Sequence, residues 1–152
     1  VSVAAARRVL LLGVSLLVSC SKPAGDPVAQ ALQDMAGAAA DRDADALVAR
    51  LAPGFAGQGG IGAAETAAEL RRTFALYESI EVGLADVVIE RPQAGTALAR
   101  FRASVAGKPK SIGGLAGMLP DAERLRFEVA LAEADGTWRV TSATWERLAP
   151  AS

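Results

Sequence analysis

Apolar positions along this chain keep a helical period up to about residue 77 and a strand period after it. Val28, Leu32, Met35 and Ala39 recur every three or four residues, the spacing of one helical face. Asp26-Pro27 in front of them reads as an N-cap with proline at the first helical position, which predicts a helix from there to about Ala40. Asp41-Arg42-Asp43 breaks that helix and caps a shorter one carrying Leu47, Val48 and Leu51, ended by Pro53-Gly54. A third helix is expected over roughly Ala64 to Tyr77, with Leu70, Phe74 and Tyr77 as its apolar stripe and Glu69, Arg71 and Arg72 turned away.

Past Tyr77 the alternation is by twos. Ile80, Val82 and Leu84 hold one phase, then Val87 and Ile89 take the other. A one-residue slip of this kind marks a β-bulge, and bulges bend sheets. Asp86 sits at the slip, where a bulge can re-aim a side chain inward. The next strand, Thr96 to Val105, places Ala97, Ala99, Phe101, Ala103 and Val105 on one face, and Thr96, Leu98, Arg100 and Arg102 on the other. A Gly-rich connection, Gly107 to Ala122, carries Ile112, Leu115, Met118 and Leu119. The chain closes on two alternating runs around Asp135-Gly136, a pair suited to a two-residue type I′ turn. That turn sets Leu131 against Val140, Glu133 against Trp138 and Phe127 against Thr144 on the inner face, with Glu133 at the rim. On the outer face it sets Ala132 against Arg139, Glu128 against Ala143 and Arg126 against Trp145.

The first twenty residues read differently. Arg7 and Arg8 precede a short apolar run from Val9 to Val18, the layout of a secretory signal and too short to span a bilayer. Leu17-Val18-Ser19-Cys20 follows, and Cys20 is the one cysteine of the chain. This stretch resembles the lipobox of bacterial lipoproteins. The resemblance implies cleavage before Cys20 and diacylglycerol on its thiol, since sulfur is the good nucleophile near neutral pH. Ser21 after the cysteine, where an aspartate would favour inner-membrane retention, favours the periplasmic face of an outer membrane over the inner one. The expected organisation is a signal peptide over 1–19, a lipidated Cys20 and tether over 20–25, one domain over 26–148, and a tail over 149–152.

Composition narrows the chemistry. Removing residues 1–19 leaves 133, one domain's worth. The formal net charge of −1 loses the two positive charges of Arg7 and Arg8 and becomes −3, which offers nucleic acid no electrostatic footprint. The chain has no histidine, which removes Ser-His-Asp and Cys-His catalysis, imidazole metal sites and histidine bases. No metal or cofactor is expected. Gly57 to Gly62, "GQGGIG", matches a dinucleotide fingerprint only formally, because a helix and a proline stand before it where a βαβ unit needs a strand. It reads as a loop. "GKPKS" at Gly107 to Ser111 lacks the earlier glycine of a phosphate-binding loop.

Three helices leading into a bent antiparallel sheet that ends in "DGTWRVTSATW" resemble the nuclear transport factor 2-like superfamily, the cystatin-like cone. The closing Asp135-Gly136-x-Trp138-Arg139-Val140 is similar to an ending common among its bacterial members. The resemblance covers about residues 26 to 148. It implies an α+β fold, with N-terminal helices packed on a strongly curved antiparallel sheet of about four strands. It also implies a plug of tryptophan and aliphatic side chain in the core.

Fold alone does not give function. Enzymes of the superfamily work inside the cone with a buried carboxylate base and a tyrosine or acid as oxyanion donor. Here the weak catalytic candidates are Asp86 and Tyr77, the latter equally readable as a core aromatic with a satisfied hydroxyl. Leu70, Phe74, Tyr77, Phe101, Phe127 and Thr144 are candidates for lining an apolar pocket for a small hydrophobic ligand. Arg126, Glu128, Arg139 and Trp145 on the outer face form a candidate interface for a homodimer, or else a solvated face with a stacked Arg–Trp pair. The expectation is a lipid-anchored, periplasm-facing binding or protein-interaction domain without catalysis. The alternative is an enzyme like ketosteroid isomerases or polyketide cyclases.

Overall fold

The computed structural model describes residues 25–111 and 122–150. Cys20 and the expected signal segment lie outside the described residues, as do Ile112, Leu115, Met118 and Leu119. Helix α1 spans Pro27–Ala40, and the Asp26 carboxylate accepts from the backbone N–H groups of Val28 and Ala29, as its N-cap position predicts. Helix α2 covers only Ala44–Val48. Strand β1, Leu51–Ala56, follows it, and Gln58–Gly60 forms a short 3₁₀ turn. Helix α3 is Ala63–Phe74. Strands β2 (Tyr77–Glu90), β3 (Thr96–Pro109), β4 (Ala122–Ala134) and β5 (Thr137–Arg147) complete the chain.

The five strands form one sheet in the order β1-β5-β4-β3-β2. β1 lies parallel to β5, and the other pairs are antiparallel. The fold is α+β as expected, but the sheet has five strands rather than about four. The difference lies at Leu51. It was expected in the second helix, yet it stands opposite Val140 in β1, and Pro53-Gly54 sit inside that strand. β1 is an edge strand, where a proline's missing N–H costs no ladder bond. Tyr77 likewise opens β2 instead of closing α3, and β3 runs on to Pro109 through the start of the expected connection.

The core sits between α1 and the concave face of the sheet. Ala97, Ala99 and Ala103 of β3 are small, and Val28, Ala31 and Leu32 of α1 share one buried cluster with them, Leu131 and Val140. The sheet must curl to allow this. Asp26 at the start of α1 pairs with Arg91 beyond one end of β2, and Arg42 just past α1 donates to the Tyr77 carbonyl at the other end. A 14-residue strand extends about 46 Å, whereas the 14-residue helix is about 21 Å long. Two arginine side chains do not make up the difference, so α1 is a chord across a bent strand.

Two bulges help the bend. In β2, Asp86 and Val87 together oppose Phe101, and Asp86 takes a left-handed backbone (φ 53°). In β5, Leu131 faces Val140 but Ala130 faces Ser142, so Thr141 is the extra residue. The type I′ turn forms as expected, with positive φ at both Asp135 (53°) and Gly136 (74°).

Candidate functional site

The bulge at Thr141 decides what the concave face presents. A slip of one residue exchanges the two faces of a strand. Above the bulge the expected register holds, with Leu131 on Val140, Ala132 on Arg139 and Glu133 on Trp138. Below it every pairing moves by one, and Phe127 meets Trp145 instead of Thr144. Trp145 therefore lies on the inner face, and Thr144 lies outside opposite Glu128. Both corrections follow from one inserted residue. The sequence carried the signal: apolar residues sit at even positions (Trp138, Val140) and then at odd ones (Ala143, Trp145), the same slip that reveals the bulge in β2.

Three rings consequently line up across β3, β4 and β5. Phe101 and Phe127 stack with centroids 5.2 Å apart and planes 12° apart. Phe127 and Trp145 follow at 6.0 Å and 34°. Burial falls along the row: Phe101 is buried, Phe127 half-buried, and Trp145 is 38 % exposed. The row opens because β1 ends at Ala56, opposite Ser142, before it reaches Trp145. Among the described residues the 3₁₀ turn Gln58–Gly60 comes next along that edge, the Gln58 side-chain oxygen accepting the Trp145 backbone N–H at 2.8 Å. The "GQGGIG" loop thus finishes the sheet edge with an amide in place of a strand.

Leu70, Phe74 and Tyr77 come together in a second buried cluster with Ala44 and Ile80. The Tyr77 ring packs against β3 at Gly107, where a Cβ would stand 2.6 Å from its Cδ1 and Cε1. That close approach is why a glycine occupies the position. Among the described residues no polar or charged residue is buried, and Tyr77 brings the one hydroxyl into the interior clusters. Asp86 is not aimed inward. It pairs with Arg102 on the outer face and is 60 % exposed, because the left-handed bulge backbone turns its side chain to the convex side.

The outer face is a lattice of ion pairs. Arg100 bonds Glu128 at 2.8 Å and Glu90 at 3.2 Å, which holds its guanidinium above the ordinary arginine range, chiefly through Glu128. Arg126 meets Glu146 at 2.6 Å rather than Trp145. A shallow depression of about 300 Å³ is lined by Arg100, Arg126, Glu128, Thr144 and Glu146, with Phe127 and Trp145 also bordering it. Of the four interface candidates, Arg126, Glu128 and Arg139 share this face and Trp145 does not. At the far ends of α1 and α3 a wider groove of about 610 Å³ runs between Asp41, Arg42, Asp43, Arg71 and Lys110.

No protein-family profile and no curated protein matches this sequence. Solved structures do match its fold. A candidate scytalone dehydratase from Novosphingobium aromaticivorans superposes with a TM-score of 0.72 at 11 % identity, over 81 % of this chain and 83 % of that one. A candidate dehydratase of the nuclear transport factor 2-like family from Streptomyces avermitilis gives 0.68 at 15 % identity, over 82 % and 96 %. A nuclear transport factor 2-like superfamily protein from Salmonella enterica gives 0.65 at 15 % identity, over 82 % and 91 %. The described domain therefore has the nuclear transport factor 2-like fold.

Proposed function

We propose that this chain is a lipid-anchored binding domain of the bacterial cell envelope that takes a flat apolar group against Phe127 and Trp145. The observation that carries this reading is the aromatic row, sealed at Phe101 and open at Trp145. An exposed indole extending a buried stack can accept one more ring, and offset aromatic contacts contribute about 0.5–1.5 kcal/mol beyond their area. Anchoring rests on the lipobox: two or three acyl chains at Cys20 hold a protein firmly at a membrane. A Cys20→Ser chain should incorporate no fatty acid and should be either soluble or uncleaved.

A naphthalene-type fluorophore tests the site. Its affinity for the wild-type chain is expected to fall roughly tenfold in Trp145→Ala, about 1.4 kcal/mol. Equal affinities would remove the reading. The outer face is proposed as a homodimer surface, through Arg126, Glu128 and Arg139. Arg126→Glu, which sets like charges beside Glu146, should shift the sedimentation coefficient toward the monomer.

A second reading is enzymatic, favoured by the two neighbours carrying dehydratase names and by the buried Tyr77. Under it the chain would act on a small hydrophobic substrate, and Tyr77→Phe would abolish turnover while the protein stayed folded.

A further inference from the structure

The point where the domain begins is fixed on the fold. Asp26 bonds Arg91 at 2.7 Å, and Arg91 lies 5.9 Å above the Trp138 ring. The Gly95 carbonyl accepts the Glu133 N–H at 2.9 Å, which joins the β2–β3 turn to the β4–β5 hairpin. The first described helix thus starts at the end of the sheet that carries both turns. α1 separates that end from the Arg42–Tyr77 contact by about 21 Å. Trp145, eight residues along β5 from its start, lies about 26 Å up the strand.

Building on the lipid-anchor reading, we infer that the turn end faces the bilayer and that the aromatic row opens toward the aqueous compartment. Six residue steps from Cys20 to Asp26 reach at most about 21 Å, so the turn end never leaves the neighbourhood of the lipid. A rigid body held by one end beside an impenetrable surface loses orientations that drive its free end into that surface. Its free end therefore stands farther out on average. A contiguous apolar face could overcome this by lying flat on the membrane. Among the described residues the exposed large apolar side chains are instead split between Val87 and Val88 on β2 and Trp145 on β5, at opposite sides of the sheet. A ligand for the row would then arrive from water and not from the lipid phase.

Energy transfer to a labelled lipid tests the orientation. The full lipidated chain, carrying a donor at Gln93→Cys or at Ser111→Cys (both exposed), is placed in phosphatidylethanolamine–phosphatidylglycerol vesicles with a headgroup acceptor. Transfer is expected to be clearly stronger from position 93 than from position 111. Equal transfer, or the reverse order, in vesicle-bound protein overturns the orientation while leaving the anchor intact. Vesicle binding by a Cys20→Ser chain that begins at residue 20 overturns the anchor reading and the orientation with it.

Discussion

The two halves of the β4–β5 hairpin have the same alternation and opposite fates. Near the turn, Leu131 and Val140 are 2 % and 1 % exposed, covered by α1 and flanked by β1 through Leu51. Past the bulge, Phe127 and Trp145 point to the same side of the sheet and stay partly open. The inner face is apolar through the middle of both halves, with Glu133 at one rim and the Arg147–Glu123 ion pair (3.1 Å) at the other. What differs is the neighbour: β1 runs out at Ala56, and among the described residues the short turn carrying Gln58 follows it. An apolar side chain becomes core or exposed surface according to what the fold lays over it.

Substitutions that weigh one half against the other test this contrast. Leu131→Ala leaves a cavity in the sealed half and should cost about 2–5 kcal/mol in urea unfolding. Trp145→Ala removes a larger side chain but should cost under about 2 kcal/mol, because its ring is already part-solvated. If the two costs were equal, the open half would be core. Gly107→Ala probes the second cluster. Its methyl would enter the Tyr77 ring, so a loss of about 1–3 kcal/mol is expected, with a change in the near-ultraviolet signal of Tyr77.

The smallest expected effect is at the turn end. Asp26→Ala removes the α1 cap and should cost about 1 kcal/mol near neutral pH. The Arg91 hydrogen bond, with the backbone bonds of the cap, holds the Asp26 carboxyl below its ordinary value of 3.8. Its folded form therefore binds a proton less readily than its unfolded form. The stabilisation is fully present above the ordinary carboxylate range and disappears as pH falls through the lowered folded value. The gap between wild type and Asp26→Ala, followed by urea titration, should close on acidification and not on alkalinisation. A gap independent of pH would mean that the carboxylate charge contributes nothing.

Much of the fold was legible because its signals are local. Asp26-Pro27 announced α1, Asp135-Gly136 announced the last turn, and the slip between Leu84 and Val87 announced the bulge in β2. Leu51 to Ala56 was read as helix and loop because a short edge strand with Pro53-Gly54 has no period of its own. Its partner, β5, lies almost ninety residues away. The candidate site was legible only in part. Leu70, Phe74, Tyr77, Phe101 and Phe127 are the expected lining of one apolar pocket; they are buried or partly buried, but Phe101 and Phe127 belong to one cluster and Leu70, Phe74 and Tyr77 to another. The expected register exchanges Trp145 and Thr144 by one residue, and Asp86 lies on the convex face and not the inner one.

The amino-acid sequence by itself determined where most elements start and turn, which strand faces are apolar, and that no histidine chemistry is available. Those properties depend on neighbours a few residues apart. The slip at Thr141 leaves a trace in the apolar pattern, but tertiary structure decided that Trp145 looks inward beside Phe127 and that Asp86 pairs with Arg102 outside. Such outcomes depend on how distant strands are matched, and a one-residue difference in that match reverses every side chain beyond it.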